Sequence, residues 1–271
     1  MVGFIGAGRM AQVLSGSITK RGLIKPENVI SSDVIPKMLK QIGALGVKTT
    51  TDNKEVVRTS KIVCLAVKPI VVAPILREIS TEVTRDHLIV SIAAGVSTRT
   101  LERLLPPQSR VVRVMTNTPC LVNEGCSVFS PGQHALPADL ETVSKLFSNV
   151  GICEDAPEYL MDTVTGLSGS GPAYAYVAVE ALADGAVEMG LTRETAQRLA
   201  AQAMLGAAKM VLETGKSPGQ LKDEVCSAGG TTIAAIHSLE KGGFRGVLMD
   251  AVVKSTIRSR EIGKKLNDDY D

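Results

Sequence analysis

The sequence predicts a two-domain α/β protein. A doubly wound, mostly parallel (Rossmann-like) sheet occupies residues 1–157, and an all-α helical region occupies 158–271. Three observations carry this. The stretch Val2-Gly3-Phe4-Ile5-Gly6-Ala7-Gly8-Arg9-Met10-Ala11 is an apolar run that breaks into closely spaced glycines and passes into an amphipathic helix. Short apolar runs then alternate with helical stretches, the rhythm of strand, crossover and parallel strand. Near Pro157 this rhythm stops and long alanine-rich helices begin.

The glycine turn is a phosphate site by its chemistry. Gly6 permits the tight turn out of the first strand, Gly8 lets backbone approach a pyrophosphate, and Ala11 fills the third small position. The following helix presents unpaired amides and its positive dipole end to an anion. A ligand-free strand-to-helix turn produces the same pattern, so context has to support the reading. The run Gly6, Ala7, Gly8, Arg9 and Met10 is taken as the cofactor turn. The first helix reaches Arg21-Gly22, and Pro26 prevents its resumption. Asn28 to Ser32 is the second strand. Asp33 ends it about twenty residues past the glycines, where such folds place a carboxylate on the adenosine ribose. A turn or cap aspartate reads the same way. Lys37 and Lys40 favour a 2′-phosphate, so NADH and NADPH both stay open.

Pro36 to Leu45 reads as a helix ended by Gly46, Val47 to Thr50 as a short strand, and Asp52-Asn53-Lys54-Glu55 as a helix start. Lys61 to Val67 is a continuous apolar strand, as expected where both sheet faces are covered. It ends in Lys68-Pro69, and the proline holds Lys68 extended at the sheet's carboxyl edge, where open α/β sheets bind ligands. A solvated loop lysine is the alternative. Leu88 to Ile92 is the next strand, and Ala93-Ala94-Gly95 at its end is small enough for a flat ring to lie on backbone, or is a plain turn. Arg110 to Val114 follows and runs into the polar loop Met115-Thr116-Asn117-Thr118-Pro119. Strands near Gly125 to Ser130 and Gly151 to Glu154, with a helix around Leu140 to Phe147, complete the sheet.

In the second half, Thr165-Gly166-Leu167-Ser168-Gly169-Ser170-Gly171-Pro172 reads as a hinge leading into a helix with Pro172 in its first turn. No Gly-x-Ser-x-Gly elbow with strand context makes Ser168 or Ser170 a nucleophile. Ala173 to Met189 is charged only at Glu180, Asp184 and Glu188, one stripe stepping by four. Thr195 to Glu213 repeats the design, with Arg198, Gln202, Lys209 and Glu213 on one narrow face. A region this small has little interior for two such helices, so a partner subunit is expected to cover them. An internal helical bundle is the alternative. Gly190 closes the first helix and Thr192 caps the second. Finally, Val225-Cys226-Ser227-Ala228-Gly229-Gly230-Thr231-Thr232, leading into a helix from Ile233 to Lys241, offers bare amides and hydroxyls that can wrap a small anion such as a carboxylate, although a plain glycine-threonine cap reads similarly.

Composition excludes other classes. A net charge of +2 and 3% aromatic residues give no basic stripe and few stacking platforms, so nucleic acid is not an expected partner. The five cysteines lack paired or Cys-x-x-Cys spacing, which reads as reduced thiols of a cytoplasmic protein with no metal site. The first strand begins next to residue 1, which leaves no room for a leader unless one was removed, and no apolar run is long enough for a bilayer.

The run Pro218-Gly219-Gln220-Leu221-Lys222-Asp223-Glu224-Val225-Cys226-Ser227-Ala228-Gly229-Gly230-Thr231-Thr232-Ile233, continuing to Leu239-Glu240, resembles the pyrroline-5-carboxylate reductase signature. Gly6-Ala7-Gly8, Ala66-Val67-Lys68-Pro69, Ala93-Ala94-Gly95 and the Thr165–Pro172 loop come in that family's order. The resemblance implies NAD(P)H-dependent reduction of 1-pyrroline-5-carboxylate to L-proline by an oxidoreductase of proline biosynthesis. It also implies a helical domain that binds substrate and interlocks into homodimers, often five in a ring as a decamer. It assigns the carboxylate to Ser227, Gly230, Thr231 and Thr232, with Thr232 beside the ring nitrogen, and Glu158 to the substrate from the dimer side. It assigns the cofactor to Asn53, Ala66, Val67, Lys68, Pro69, Ile92, Ala93 and Ala94. Glu224 stands where some members have an asparagine near the cofactor, and Asp33 where others have serine. The two amide-rich corners are expected to meet across an interdomain crevice. A hydroxy-acid dehydrogenase, with Lys209 as its lysine, and a non-catalytic NAD(P)H sensor are the alternatives.

Overall fold

A computed structural model describes residues 1–268. Eight strands form one sheet: β1 (Val2–Ile5), β2 (Val29–Ser32), β3 (Lys48–Thr50), β4 (Ile62–Leu65), β5 (Leu88–Ser91), β6 (Arg110–Met115), β7 (Gly125–Pro131) and β8 (Gly151–Asp155). Their order is β3-β2-β1-β4-β5-β6-β7-β8, and every pair is parallel except β6 with β7. The chain steps outward from β1 to β2 and β3, then returns past β1 to β4. That reversal opens a crevice between the carboxyl ends of β1 and β4.

The crossovers are α1 (Arg9–Lys20), α2 (Pro36–Gly43), α3 (Asn53–Thr59), α4 (Val72–Ile79) and α5 (Thr98–Arg103), with α6 (Pro137–Phe147) leading to β8. They cover both faces, which is why the central strands are apolar throughout. One face buries Val2, Phe4, Leu14, Ile18 and Phe147, the other Ile5, Leu65, Leu76, Ile79 and Leu101. Strand β4 is shorter than the apolar run predicts. It ends at Leu65; Ala66 still donates to the Ile5 carbonyl, and its own carbonyl and the Val67 side chain then stand against Gly6.

A short helix, α7 (Met161–Val164), runs into a π-helical turn over Thr165–Gly169, closed by the Ser170 amide donating to the Thr165 carbonyl at 2.9 Å. Next comes α8 (Gly171–Glu188). Pro172 has no amide to give to the Ser168 carbonyl, and Asn117 Nδ2 donates to that oxygen instead at 3.0 Å. The expected hinge is thus a stretched helical turn tied to the loop after β6.

The remaining helices are α9 (Arg193–Thr214), α10 (Pro218–Val225), α11 (Thr231–Lys241) and α12 (Phe244–Asp268). Gly190 takes a left-handed φ of +100°, and the Thr192 hydroxyl accepts the Thr195 amide, as the turn residues predict. Sequence reading missed α10 and α12. It places a boundary at residue 157, whereas the compact units are Met1–Ser170 together with the chain from Val253 onward, and Gly171–Val252. The first unit recovers residues 158–170 because Glu158 pairs with Arg113, and the end of α12 because Asn267 bonds the loop after β5. Among the described residues no helix is long and apolar enough to cross a membrane.

Candidate active site

In the first unit, the crevice is built around Gly6. Its φ is +98°, and a Cβ there would stand 2.5 Å from the Ala66 carbonyl oxygen, so both conformation and space demand glycine. Its amide donates to the Ser32 carbonyl at 2.8 Å, and Ala66 donates to Ile5 at 2.8 Å. Gly8 is different. It is the N-cap of α1 with no side-chain cap, and a Cβ there would meet nothing within 4 Å. No acid sits in the first turn of α1. The unpaired first amides of α1 and the open approach at Gly8 make a cradle that fits a pyrophosphate, with Asp33 the acid that lies against the turn.

Asp33 sits against this turn. Its Oδ2 accepts the Ala7 amide at 2.8 Å and its Oδ1 accepts the Ile35 amide at 2.9 Å, an Asx turn. The turn-aspartate alternative is therefore present, and each oxygen keeps lone-pair capacity for a further donor. Asn53 Oδ1 accepts from Ser32 Oγ at 2.7 Å, which fixes it along the same edge, while its Nδ2 donates to Glu78 at 3.0 Å. Lys68 is extended, with φ −63° and ψ 142°, and exposed. Ile92 donates to the Leu65 carbonyl at 3.1 Å, Ala93 is buried and Ala94 is exposed. Gly6, Ala7, Asp33, Asn53, Ala66 and Ile92 are thus gathered along one carboxyl edge.

Glu158 is engaged within the same unit. Its Oε1 takes the Arg113 guanidinium at 2.9 Å and the Thr98 amide at 3.1 Å. Arg113 is only 5% exposed, and its Nη2 and Glu158 Oε2 have no partner among the described residues. The pair ties the segment after β8 to β6 and to the start of α5. Sequence reasoning had no signal for it, since a single arginine in an apolar strand does not name its partner.

The second unit holds the other glycine corner. The Gly230 amide donates to the Ser227 carbonyl at 3.1 Å, Gly229 has φ +66°, and a side chain at 230 would run into Ser227 Oγ. Gly230 caps α11 without a side-chain bond, so Thr231 and Thr232 occupy the first helical turn instead of the loop the sequence suggests. Their amides lie where intrahelical partners are lacking. Glu224 is on α10, its carboxylate held by Lys216 Nζ at 2.7 and 3.0 Å.

Two of the thiols are held protonated at neutral pH. Burial pushes Cys64 up to about 12 and is the main cause that raises Cys153 to about 12, so both stay protonated. Among the described residues no group of three or more His, Cys, Asp or Glu is placed to hold a metal ion.

Comparison with known proteins agrees with this layout. Residues 158–262 match the pyrroline-5-carboxylate reductase dimerisation family, and residues 1–95 match the coenzyme F420-dependent NADP oxidoreductase family. The pyrroline-5-carboxylate reductase of Methanosarcina acetivorans is 50% identical over 265 residues, covering 97% of this chain and 98% of its own. A solved pyrroline-5-carboxylate reductase from Coxiella burnetii superposes with a TM-score of 0.91 at 34% identity over 96% of this chain and 97% of that one. The Plasmodium falciparum pyrroline carboxylate reductase, solved with NADP bound, gives 0.87 at 33% identity over 97% of each chain. With half its residues shared along almost its whole length, the chain is an enzyme of the oxidoreductase class and belongs to the pyrroline-5-carboxylate reductase family.

Proposed function

We propose that the chain reduces the C=N bond of 1-pyrroline-5-carboxylate to give L-proline, the last step of proline biosynthesis, in the cytoplasm and as a homodimer that can assemble further into a decamer. The observation that carries this reading is the second glycine corner. A fold that only bound NAD(P)H would not need bare amides and hydroxyls at Ser227–Thr232.

A reduced nicotinamide dinucleotide, NADPH or NADH, supplies the hydride when bound. Gly6, Ala7 and Gly8 would form the turn around the pyrophosphate, with the amides of Arg9 and Met10 left to face it. Asp33 faces the adenosine ribose, and Asn53, Lys68 and Glu224 are further cofactor contacts. Ala66, Val67, Pro69 and Ile92 would be cofactor contacts too, and the small Ala93 and Ala94 would let the nicotinamide ring lie against backbone. Ser227, Gly230 and Thr231 hold the substrate carboxylate, and Thr232 hydrogen-bonds the ring nitrogen. Glu158, whose second oxygen stays unpaired, would contact substrate from the dimer side. The nitrogen must end protonated, and a cyclic imine is basic enough to arrive already as the iminium, so these residues need supply no strong acid. Their main service is placement, which can contribute as much as ~7–11 kcal/mol.

Mixing the protein with NADPH and pyrroline-5-carboxylate and following the absorbance of reduced cofactor tests the reading. No oxidation would leave the hydroxy-acid dehydrogenase and the sensor standing. Thr232→Ala is expected to lower kcat about 100-fold with unchanged cofactor affinity. Unaltered turnover removes Thr232 from the mechanism.

A further inference from the structure

The helix that sequence reading missed reaches back to the turn after β5. Four residues spaced by four along the second half of α12, the part that belongs to the first unit, each meet the rest of that unit. Ser255 Oγ lies 2.8 Å from Ser170 Oγ, and Ser259 Oγ donates to Asp162 at 2.7 Å. Gly263 backs onto Gly95: a Cβ on Gly263 would stand 3.2 Å from the Gly95 carbonyl oxygen, and one on Gly95 would stand 3.4 Å from Gly263 Cα. Two glycines let the backbones come this close, and one turn later Asn267 uses the approach.

The Asn267 carboxamide is fully committed. Nδ2 donates to the Gly95 carbonyl at 3.1 Å and the Gly263 carbonyl at 2.6 Å, while Oδ1 accepts the Ser97 amide at 3.2 Å and the Thr100 hydroxyl at 2.6 Å. Two donors meet two carbonyls and one oxygen meets two donors, so only an amide in this one orientation satisfies all four. Gly95 has φ +79°, and its neighbours Ala93 and Ala94 close β5 at the crevice edge. A turn with few side chains has little to fix its path, and here that path is fixed from 172 residues away.

We propose that Asn267 is a positioning residue for hydride transfer: it sets the height of the Ala93–Gly95 turn and so the plane of the nicotinamide resting on it. This rests on the reading of that turn as the nicotinamide contact. Asn267 touches neither cofactor nor substrate. A displaced ring would still be anchored at its adenosine and pyrophosphate end by Gly6, Gly8 and Asp33.

The test compares two ligands of the full-length enzyme by calorimetry, NADH and ADP-ribose, which lacks the nicotinamide. Asn267→Asp keeps the size of the side chain and replaces its donated hydrogens with repulsion against the Gly95 and Gly263 carbonyls. It should weaken NADH about tenfold, leave ADP-ribose unchanged, and lower kcat by about tenfold or more. Thr100→Val, which removes a single hydroxyl, should do the same to a smaller degree and serves if Asn267→Asp does not fold. Equal losses for both ligands, or no loss for either, overturn the proposal. Ala94→Val on the turn itself separates the two assumptions. If it leaves NADH binding intact, the turn is not the nicotinamide contact and the role of Asn267 falls with it. If it weakens NADH while the Asn267 and Thr100 variants do not, only the brace is wrong.

Discussion

The two compact units use apolar side chains in opposite ways. The first buries Phe4, Ile5, Leu65, Leu76, Ile89, Leu101 and Phe147 between helices and both faces of its sheet. The second, Gly171–Val252, buries only Ala183, Ala196 and Ala200, although α8 is apolar over most of its length. Leu182 is 53%, Leu199 57% and Leu212 73% exposed. At roughly 25 cal/mol per Å² of apolar surface removed from water, three alanines cannot hold four helices in one arrangement. The first unit carries the means of its own folding, whereas the second is shaped to be completed from outside. A twofold partner covers such faces with copies of the same faces, which fits the dimerisation family that residues 158–262 match.

The largest expected effect comes from breaking that completion. Leu205 and Leu212 lie seven residues apart on one side of α9, 44% and 73% exposed. With Leu205→Asp and Leu212→Asp together, the protein should elute as a monomer on size exclusion and lose nearly all reductase activity. ADP-ribose should still bind, because the residues proposed for its adenosine and pyrophosphate ends, Gly6 to Met10 and Asp33, all belong to the first unit. An oligomeric, active double variant would mean that the second unit is stabilised by something other than its own copy.

The same contrast explains what could be read from sequence. The glycine turn and the strands of the sheet were legible because their signals are local: a positive φ at Gly6, continuous apolar runs, prolines after strands. The apolar excess of α8 and α9 was legible as surplus that one chain has no room to bury. Helix α12 was not, since Ser255, Ser259 and Asn267 look like solvated positions unless the distant Ser170, Asp162 and Gly95 are already in view. Helix α10 did have a signal, Ser217 with Gln220 three residues on, which forms a capping box in the structure. Glu158 was assigned to substrate by resemblance alone, and its 2.9 Å pairing with Arg113 across 45 residues has no counterpart in any short pattern.

That pair sharpens the comparison at a smaller scale. Glu158→Ala leaves the guanidinium of Arg113 buried and unpaired, which costs about 3–5 kcal/mol in closed sites. Glu158 is 31% exposed at its side chain, so water relieves part of this and a loss near 3 kcal/mol is expected. Urea denaturation should show the first unit unfolding earlier while the dimer persists at low denaturant. The KM for pyrroline-5-carboxylate should rise with it. A large rise in KM with unchanged stability would instead make Glu158 a ligand of substrate and no brace.

The smallest effect concerns the choice of cofactor, a property the first unit should hold alone. Asp33 is fixed by two backbone amides, so its charge cannot swing away from a 2′-phosphate placed at the end of β2. Lys37 and Lys40 sit on α2 beyond it and pull the other way, but Lys40 is exposed and Lys37 likewise, and solvent screens both. Two like charges some 4–6 Å apart repel by roughly 1 kcal/mol where bulk water screens them, equivalent to about a fivefold preference for NADH. Asp33→Ser removes the charge and keeps a short acceptor for the Ala7 amide. The ratio of kcat/KM with NADPH to that with NADH should therefore rise about fivefold, while the KM for pyrroline-5-carboxylate, for which residues of the second unit are proposed, should stay where it was. A ratio that does not move would confine Asp33 to its turn, and cofactor preference would then have to come from the lysines of α2.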